Sequence, residues 1–339
     1  MFHRFYILIS KKFSFKRFLL RLGVAVLGIL GVICFINVFF DPYWLFRDAS
    51  PYRSAQLALT NKHRFAKSLQ LVFRQPEIIV IGSSRVYRGF DYNAFIEQKN
   101  DRFYNLGISS LTLTEALGFI KQAINFTHVK HIIFGLDLWM LDKNKLFHEG
   151  FNVHLGETQE LCNSFFMTLF SFDILQDSWQ EFKAMKDNQG KWTKEGFYAS
   201  PSLEKKDIDS LLESYEKNLR TVQIDLAQIT ILEEIITLCK NKKVRLSLYI
   251  SPLHKKTYEA YQKLGMSHTL ARLINKIKIL SQSQGIVFYD FSKCFLTASG
   301  ELLNSSNKWI DYSHFSPMVG NFILQKILGD PQKNHQKMN

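Results

Sequence analysis

Residues 77–85 read EIIVIGSSR, and this stretch decides the fold. Four β-branched apolar residues in succession are typical of a strand that is buried on both faces, as the strands of parallel sheets are. Gly82 then permits a sharp turn, and two serines follow it. Sites in open α/β sheets form beyond the carboxyl ends of the strands, so these serines lie where a binding or catalytic site is expected.

Further strands and helices alternate along the chain. Short apolar runs predict strands at 77–81, 103–106, 131–136, 244–250 and 286–290. Between and after them, helices are predicted at 112–126 behind a capping box, at 208–239, at 255–284 as one or two helices, and at 317–328. The alternation predicts an α/β fold, a flavodoxin-like three-layer sandwich with a central parallel sheet of about five strands. Residues 141–201 break the alternation and are interpreted as an insertion with some helix around 165–185.

The charge distribution points to a membrane rather than to a nucleic acid. The chain has 339 residues, with 43 Lys and Arg against 30 Asp and Glu. Six of the basic residues, and no acid, lie in the first 21 positions, so the remainder carries only a mild positive excess. No basic stripe with interleaved aromatic residues is present, and a nucleic-acid partner is therefore not expected.

A charge-free run of 19 residues, Leu22–Phe40, follows the basic segment. As a helix it is about 28 Å long, close to the thickness of the hydrocarbon core of a bilayer. A cleaved signal peptide would carry a shorter apolar region and a small-x-small cleavage site, which this sequence lacks. A buried globular helix is the other alternative. The run is interpreted as an uncleaved signal anchor, with the N-terminus cytoplasmic and the rest of the chain exported.

These patterns divide the chain into five parts. We expect a cytoplasmic basic tail at 1–17, a transmembrane anchor at 18–40 and a membrane-proximal connecting segment at 41–75. The α/β domain with its insertion covers 76–330, and a polar tail covers 331–339.

Four cysteines exclude a disulfide scaffold. The sequence contains no nucleotide-binding glycine motif, and the spacing of His148, Glu149 and His154 matches no metal-binding helix, so no cofactor and no metal are expected.

Two other segments could complete a site with Ser84. Asp311 and His314 are three residues apart in DYSH, near the last predicted helix, where the carboxylate could orient the imidazole as a base. A serine hydroxyl needs such a base to become a nucleophile. The segment YNLGISS (104–110) follows the second strand, and its small residues leave backbone N–H groups that could hold an oxyanion. Taken alone, each of these segments could equally be an ordinary turn or helix N-terminus without a catalytic role.

The set of motifs resembles the SGNH (GDSL-like) hydrolase superfamily, and in particular its membrane-anchored members in bacterial envelopes. The matching segments are DPY after the anchor, GSSR, NLGISS, GLD at 135–137, ISPLH at 250–254, DFS at 290–292 and the closing SHF…VG. The resemblance spans about Asp41 to Leu328. Distant relatives act in alginate O-acetylation and in D-alanylation of teichoic acids. The resemblance implies a protein of the bacterial inner membrane with a single span and a periplasmic domain.

The resemblance also implies roles for individual residues. Ser84 corresponds to the nucleophile, His314 to the base and Asp311 to the acid that orients the base. The residues expected to form the oxyanion hole or line the site are Gly82, Ser83, Arg85, Asn105, Gly107, Ser110, Asp137 and His254. Two positions depart from the family: Ser110 replaces the oxyanion glycine, and Asp137 replaces the asparagine donor. An ionised Asp137 that points into the site would repel an oxyanion. The alternative is that Asp137 orients Arg85 or supports the end of the strand.

The expected function is ester hydrolysis or transfer of an acyl group, most simply acetyl, on a glycan or lipid-linked glycan of the cell envelope. Other membrane proteins of envelope biosynthesis are expected as partners. Asp137 and Ser110 favour an alternative, a catalytically silent binding or assembly subunit. The two readings differ in whether Ser84 and His314 lie within hydrogen-bond distance with Asp137 turned away. A lipase acting on the membrane itself is a third reading.

Overall fold

The computed structural model describes residues 15–46, 60–91, 102–148, 151–184, 192–199, 205–293 and 308–329. The chain forms two units, one from residues 1–60 and 162–189 and the other from 61–161 and 190–339. Most of the predicted basic tail and the tail at 331–339 lie outside the described residues. The predicted domain boundaries at 17, 40, 75 and 330 stay predictions.

The second unit contains a five-stranded, fully parallel sheet, which confirms the predicted fold class. Its strands are β1 (Ile78–Gly82), β2 (Phe103–Gly107), β3 (His131–Leu136), β4 (Arg245–Ile250) and β5 (Val287–Asp290), in the order β2-β1-β3-β4-β5. The chain passes from β1 to β2 on one side and then returns to β3 on the other. The carboxyl ends of β1 and β3 therefore flank the point where strand order reverses, which is the usual place for a site.

Helices cover both faces of the sheet. Those of the second unit, in chain order, are α2 (His63–Arg74), α3 (Ser84–Gly89), α4 (Leu113–Phe126), α7 (Lys205–Leu219), α8 (Ile229–Asn241), α9 (Lys255–Lys263), α10 (Met266–Gln284) and α11 (Pro317–Leu328). Alternate residues of β1 enter different cores: Ile79 and Ile81 join one cluster, and Ile78 and Val80 the other. This division follows from the two-residue period of a strand and produces the predicted three layers.

Two predicted helical stretches are interrupted. The stretch 208–239 consists of α7 and α8 separated by a turn and a short 3₁₀ helix, Leu226–Gln228, which the Asp225 side chain caps through the N–H of Ala227 at 2.9 Å. The stretch 255–284 consists of two helices. It breaks at Gly265, whose φ of 71° lies in the left-handed region that glycine adopts without strain. The predicted capping box at Thr112 and Glu115 is present and begins α4.

The first unit is built around one long apolar helix, α1 (Phe15–Phe40), which is long and apolar enough to cross a membrane. The predicted insertion supplies two more helices, α5 (Thr158–Phe170), which enters this unit at Cys162, and α6 (Phe172–Ala184). The rings of Phe40 in α1 and Phe182 in α6 lie 5.7 Å apart. Cys34, Cys162 and Cys239 are free thiols.

Candidate active site

Ser84 is placed at the carboxyl end of β1 by a short helix that begins directly after the strand. Ser83 caps α3, because its hydroxyl accepts a hydrogen bond from the N–H of Arg85 at 3.2 Å. Ser84 is the first residue of α3, and its side chain is half-buried at the wall of a cavity. The turn thus presents the hydroxyl of Ser84 and hides that of Ser83.

The loop that carries Asp311 and His314 is tightly folded. One carboxylate oxygen of Asp311 accepts the backbone N–H groups of Ser313 at 2.7 Å and His314 at 2.8 Å. The main chain of Ile310 donates to the carbonyl of His314 at 2.9 Å. Thr257 in α9 donates its hydroxyl to the carbonyl of Tyr312. Asp311 therefore both shapes the loop and faces the imidazole.

Ser84, His314 and Asp311 form a connected chain of hydrogen bonds. His314 Nδ1 lies 2.9 and 2.8 Å from the two carboxylate oxygens of Asp311, and its Nε2 lies 2.8 Å from the Ser84 hydroxyl. A carboxylate can only accept, so Nδ1 carries the proton, and Nε2 presents a lone pair to the serine. This arrangement can remove the proton of Ser84 when the hydroxyl attacks a carbonyl.

The pKa values of the pair suit this role. Burial lowers the pKa of His314 below its usual 6.5, although Asp311 acts in the opposite direction. Burial raises the pKa of Asp311, but its hydrogen bonds and charge interaction with His314 outweigh this and lower it overall. At neutral pH the imidazole is therefore uncharged and the carboxylate ionised, which is the state a general base requires.

Asp137 is engaged by Ser83 and Arg85. One carboxylate oxygen accepts the Ser83 hydroxyl at 2.5 Å, and the other accepts Arg85 Nη1 at 2.5 Å. Arg85 is fully buried; its guanidinium stacks on Trp139, 4.4 Å from the ring centroid, and its Nε donates to the Ser313 carbonyl at 2.8 Å. The Asp137 charge is thus neutralised by a partner that also holds the His314 loop.

The oxyanion candidates are backbone groups at one wall of the cavity. Ser84 and Ser110 both line it. Among the described residues, neither of their N–H groups has a hydrogen-bond partner. Ser110 has a φ of 51°, in the left-handed region that favours glycine. Ser110 therefore adopts a backbone conformation that glycine adopts without strain.

Asn105, Gly82 and Gly107 lie behind the cavity rather than in its wall. The Asn105 amide donates to the carbonyls of Val86 and Phe90, both at 2.9 Å, and so fixes α3 against β2. A Cβ on Gly107 would lie 2.3 Å from the backbone nitrogen of Tyr87, so only glycine permits this close approach. Gly82 is similarly crowded by Val86. These three residues position Ser84.

His254 caps a helix. Its Nδ1 accepts the N–H of Lys256 at 3.1 Å at the start of α9. Its ring packs against Trp309 and Tyr312, with centroids 5.1 and 4.8 Å away. Burial and the charge of Lys256 lower the pKa of His254 to about 4, so it is neutral at physiological pH. It supports the Asp311–His314 loop from outside the cavity.

The cavity beside Ser84 has a volume of about 410 Å³, within the usual range of small-molecule sites. Its wall includes residues that the sequence analysis did not single out: Thr112, Trp139, Asp142, Lys145, Leu211, Ser214, Tyr215, Asn218, Leu219, Thr221 and Val222. Trp139 and Tyr215 meet edge to face at 6.3 Å. The sequence could have indicated Trp139 as a site residue only by its position just after a strand. Nothing in the local pattern of α7 indicates that Tyr215 lines the site.

A partly buried ion pair supports the turn that follows β2. Arg64 in α2 binds Glu115 at 3.1 Å and the carbonyl of Ser109 at 2.6 Å, and His148 contacts the same carboxylate at 3.1 Å. His63 accepts the N–H of Ser109 at 3.2 Å. Burial raises the pKa of Glu115, but its hydrogen bonds to His148 and Arg64 and the charge of Arg64 outweigh this and lower it to about 2. Within the described residues no group of three or more His, Cys, Asp or Glu side chains could hold a metal ion.

Comparison with known proteins does not identify a function for this chain. No protein-family model and no curated protein matches the chain. A solved structure from Streptococcus pneumoniae, provisionally described as a platelet activating factor, superposes with a TM-score of 0.41 and 12% sequence identity. The match covers 79% of this chain and 90% of the other. At this level the similarity carries no conclusion about chemistry, so any assignment of function rests on the geometry of the site.

Proposed function

We propose that this protein is a membrane-anchored, exported serine esterase or acyltransferase of the SGNH type. One observation carries the proposal: the Ser84 hydroxyl lies 2.8 Å from His314 Nε2, while His314 Nδ1 is held by Asp311. A half-buried imidazole paired in this way with both a serine and a carboxylate is the arrangement that activates a serine nucleophile.

In the proposed reaction, the Ser84 oxygen attacks an ester carbonyl while its proton passes to His314. The N–H groups of Ser84 and Ser110 stabilise the negative charge on the carbonyl oxygen. His314 then returns the proton to the departing alcohol, and the acyl group remains on Ser84. Water or the hydroxyl of an acceptor, deprotonated by His314, attacks the acyl-enzyme, and Ser84 regains its proton as the acyl group leaves.

The cavity supports a glycan ester as the substrate class. Trp139 and Tyr215 offer aromatic surface against which a sugar ring could pack, and Asp142 and Lys145 offer polar groups for its hydroxyls. The volume of about 410 Å³ accommodates a sugar unit with a short acyl group such as acetyl rather than a long lipid chain. An envelope glycan or lipid-linked glycan fits an exported domain held at the membrane.

The anchor is part of the proposal. Helix α1 is uncleaved, with its basic N-terminal flank in the cytoplasm of a bacterium. Intramolecular contacts of its last turns support retention, because Asn37 donates to the Leu169 carbonyl at 3.1 Å, and Tyr43 just beyond the helix donates to Asp177. Removal of the helix would leave these partners in the first unit without their hydrogen bonds.

A fluorophosphonate probe tests the activated serine in the full-length protein. We expect the wild type to be labelled on Ser84, and Ser84→Ala and His314→Ala to lose the label. Ser214→Ala is the matched control, since Ser214 lines the same cavity but contacts no base among the described residues, and it should label like the wild type. A folded wild type that takes no label would overturn the enzyme assignment. The alternative function, a binding or assembly subunit, would then be favoured, as the sequence departures at Asp137 and Ser110 also suggest.

A further inference from the structure

Asn37, a polar residue in the last turn of the apolar helix α1, marks where the insertion meets the anchor. Asn37 is only 2% exposed. Its amide nitrogen donates to the carbonyls of Leu169 and Ser171, at 3.1 and 3.3 Å, and its oxygen accepts the Ser178 hydroxyl at 3.3 Å. The last carbonyls of a helix have no partner within it, and Asn37 supplies one for the end of α5. The turn between α5 and α6 is therefore bonded to α1 at this position.

The hydrogen bonds of Asn37 set the depth of the α5–α6 turn relative to the proposed membrane anchor. The charge-free part of the span ends at Phe40. Asn37 lies three residues earlier, about 4.5 Å along the helix axis at the usual rise per residue. If the charge-free run matches the hydrocarbon core, Asn37 lies just inside its outer boundary. The turn between α5 and α6 lies at the same level.

The composition of the turn matches that depth. Residues 161–172 read LCNSFFMTLFSF, twelve residues without a charge. Three large apolar side chains near the turn are exposed within the chain: Phe166 by 62%, Met167 by 53% and Phe172 by 68%. We call these three residues the apolar tip. Phe166 stacks on Phe170 with ring centroids 6.0 Å apart, yet among the described residues nothing covers these three side chains. Clustered exposed apolar groups of this kind mark an interaction surface.

The residues beyond the tip are those of a membrane interface. Asp173, at the N-terminus of α6, is exposed and ends the uncharged stretch, which places the tip near the headgroups rather than deep in the core. Trp179 is exposed, stacks on Phe182 at 5.3 Å and has the Lys183 amine 5.3 Å from its ring centroid. Tryptophan and lysine are enriched at the headgroup level, where the ring is apolar and the amine remains hydrated.

We propose that the α5–α6 turn is inserted into the outer leaflet beside α1, with Phe166, Met167 and Phe172 in contact with lipid acyl chains. The occupant of this surface is the bilayer itself, because the tip is continuous with the membrane-spanning helix and bonded to it at Asn37. The inference rests on the proposed anchor. It adds a second, interfacial point of attachment, supplied by the insertion, to the single span.

Spin-label accessibility tests the insertion in the full-length protein, reconstituted in phosphatidylcholine–phosphatidylglycerol vesicles. Nitroxide labels are attached to Phe166→Cys, Met167→Cys or Phe172→Cys, in a background with serine at positions 34, 162 and 294. Val32→Cys, at an exposed position of the span, is the lipid reference. Ile279→Cys, exposed to a similar degree on α10, is the aqueous reference. Circular dichroism checks that each labelled protein is folded.

We expect the tip labels to collide more with oxygen, which concentrates in lipid, than with a water-soluble nickel chelate, as the Val32 label does. Tip labels that behave like the Ile279 label would overturn the proposal, because the turn would then lie in water. Labels shielded from both reagents would also overturn it and would indicate a protein partner or a second copy of the chain. A Val32 label in water would instead refute the anchor, which separates that failure from failure of the tip alone.

Discussion

The contacts of Asp137 change the role that is expected for this residue. A carboxylate at a position where the family pattern has an amide donor suggests a damaged oxyanion hole. In the structure both carboxylate oxygens are occupied, by Ser83 and by the fully buried Arg85. A buried ion is expensive unless it is paired and hydrogen-bonded, so Asp137 and Arg85 depend on each other. Asp137 therefore acts as a positioning residue that anchors Arg85 between α3 and the His314 loop.

The Asp137→Asn variant tests this interpretation. Loss of the negative charge leaves Arg85 buried without its partner, and we expect a loss of about 3–5 kcal/mol in the free energy of unfolding. Denaturant unfolding measures it. Glu259→Gln, which removes an exposed ion pair with Lys255, is the control and should change stability by less than about 1 kcal/mol. A variant that is equally stable and labels faster with the probe would show instead that an amide donor belongs at this position.

The pH dependence of labelling reports the base. Neutral His314 accepts the Ser84 proton, so the labelling rate should be constant at high pH and fall as the pH drops through the pKa of His314. Since burial lowers that pKa, we expect the midpoint below 6.5. A midpoint above 6.5 would contradict the assignment. His254→Asn should not move the midpoint, because asparagine keeps the helix cap and His254 already has a pKa of about 4.

At the scale of elements, the site depends on how closely α3 approaches β2. Two contacts fix this distance: the Asn105 amide bonds to two carbonyls near α3, and Gly107 faces the Tyr87 backbone without a side chain between them. Interiors are packed densely enough that one added carbon is felt. The orientation of Ser84 toward His314 is therefore a property of the α3–β2 contact as well as of the two residues.

We predict that Gly107→Ala displaces α3. The new Cβ would lie 2.3 Å from the Tyr87 nitrogen, and backbone cannot rotate away as a side chain can. Overpacking of this kind costs about 1–3 kcal/mol in stability. A shift of Ser84 by about 1 Å would slow labelling by roughly 100-fold. Thermal unfolding and probe kinetics measure both effects. Gly28→Ala, where a Cβ meets nothing within 4 Å, should change neither.

At the scale of the whole molecule, the chain builds its first unit from two segments far apart in sequence. Residues 1–60 provide α1, and 162–189 return from within the other unit to pack against it. Asn37 is one polar link between them, through three hydrogen bonds to residues more than 130 positions away, and the bond from Tyr43 to Asp177 is another. An asparagine in a membrane span is tolerated when a partner satisfies its amide.

Replacement of Asn37 by leucine tests this link. The helix becomes more apolar, yet the Leu169 and Ser171 carbonyls and the Ser178 hydroxyl each lose their hydrogen bond to residue 37. We expect the α5–α6 pair to be destabilised by about 1–3 kcal/mol. Hydrogen exchange of the amides in 162–184 should accelerate by roughly 5- to 140-fold, following the tenfold change per 1.4 kcal/mol. Val32→Leu, at an exposed position of the same helix, is the control and should leave the exchange rates unchanged. Exchange in Asn37→Leu at the wild-type rate would show that packing alone holds α5 and α6 against α1.

Local patterns in the sequence determined the elements. The five strands were predicted within two residues of their observed ends, because buried parallel strands need continuous β-branched apolar runs. The capping box of α4 and the proline that begins α11 were also correct, since caps depend on residues within one helical turn. The long apolar helix near the N-terminus follows from composition alone. The interruption of helix 208–239 was missed because its turn has no glycine or proline.

Only the tertiary structure decided what the side chains face. The sequence nominated Ser84 and His314, but their hydrogen bond joins residues 230 positions apart. The direction of Asp137, the capping role of His254 and the pairing of Trp139 with Tyr215 are likewise invisible in local patterns. Periodicity records whether a residue is buried, whereas its partner is set by how distant elements pack. For that reason the fold was readable from the sequence, while the geometry of the site and the place of Asn37 were not.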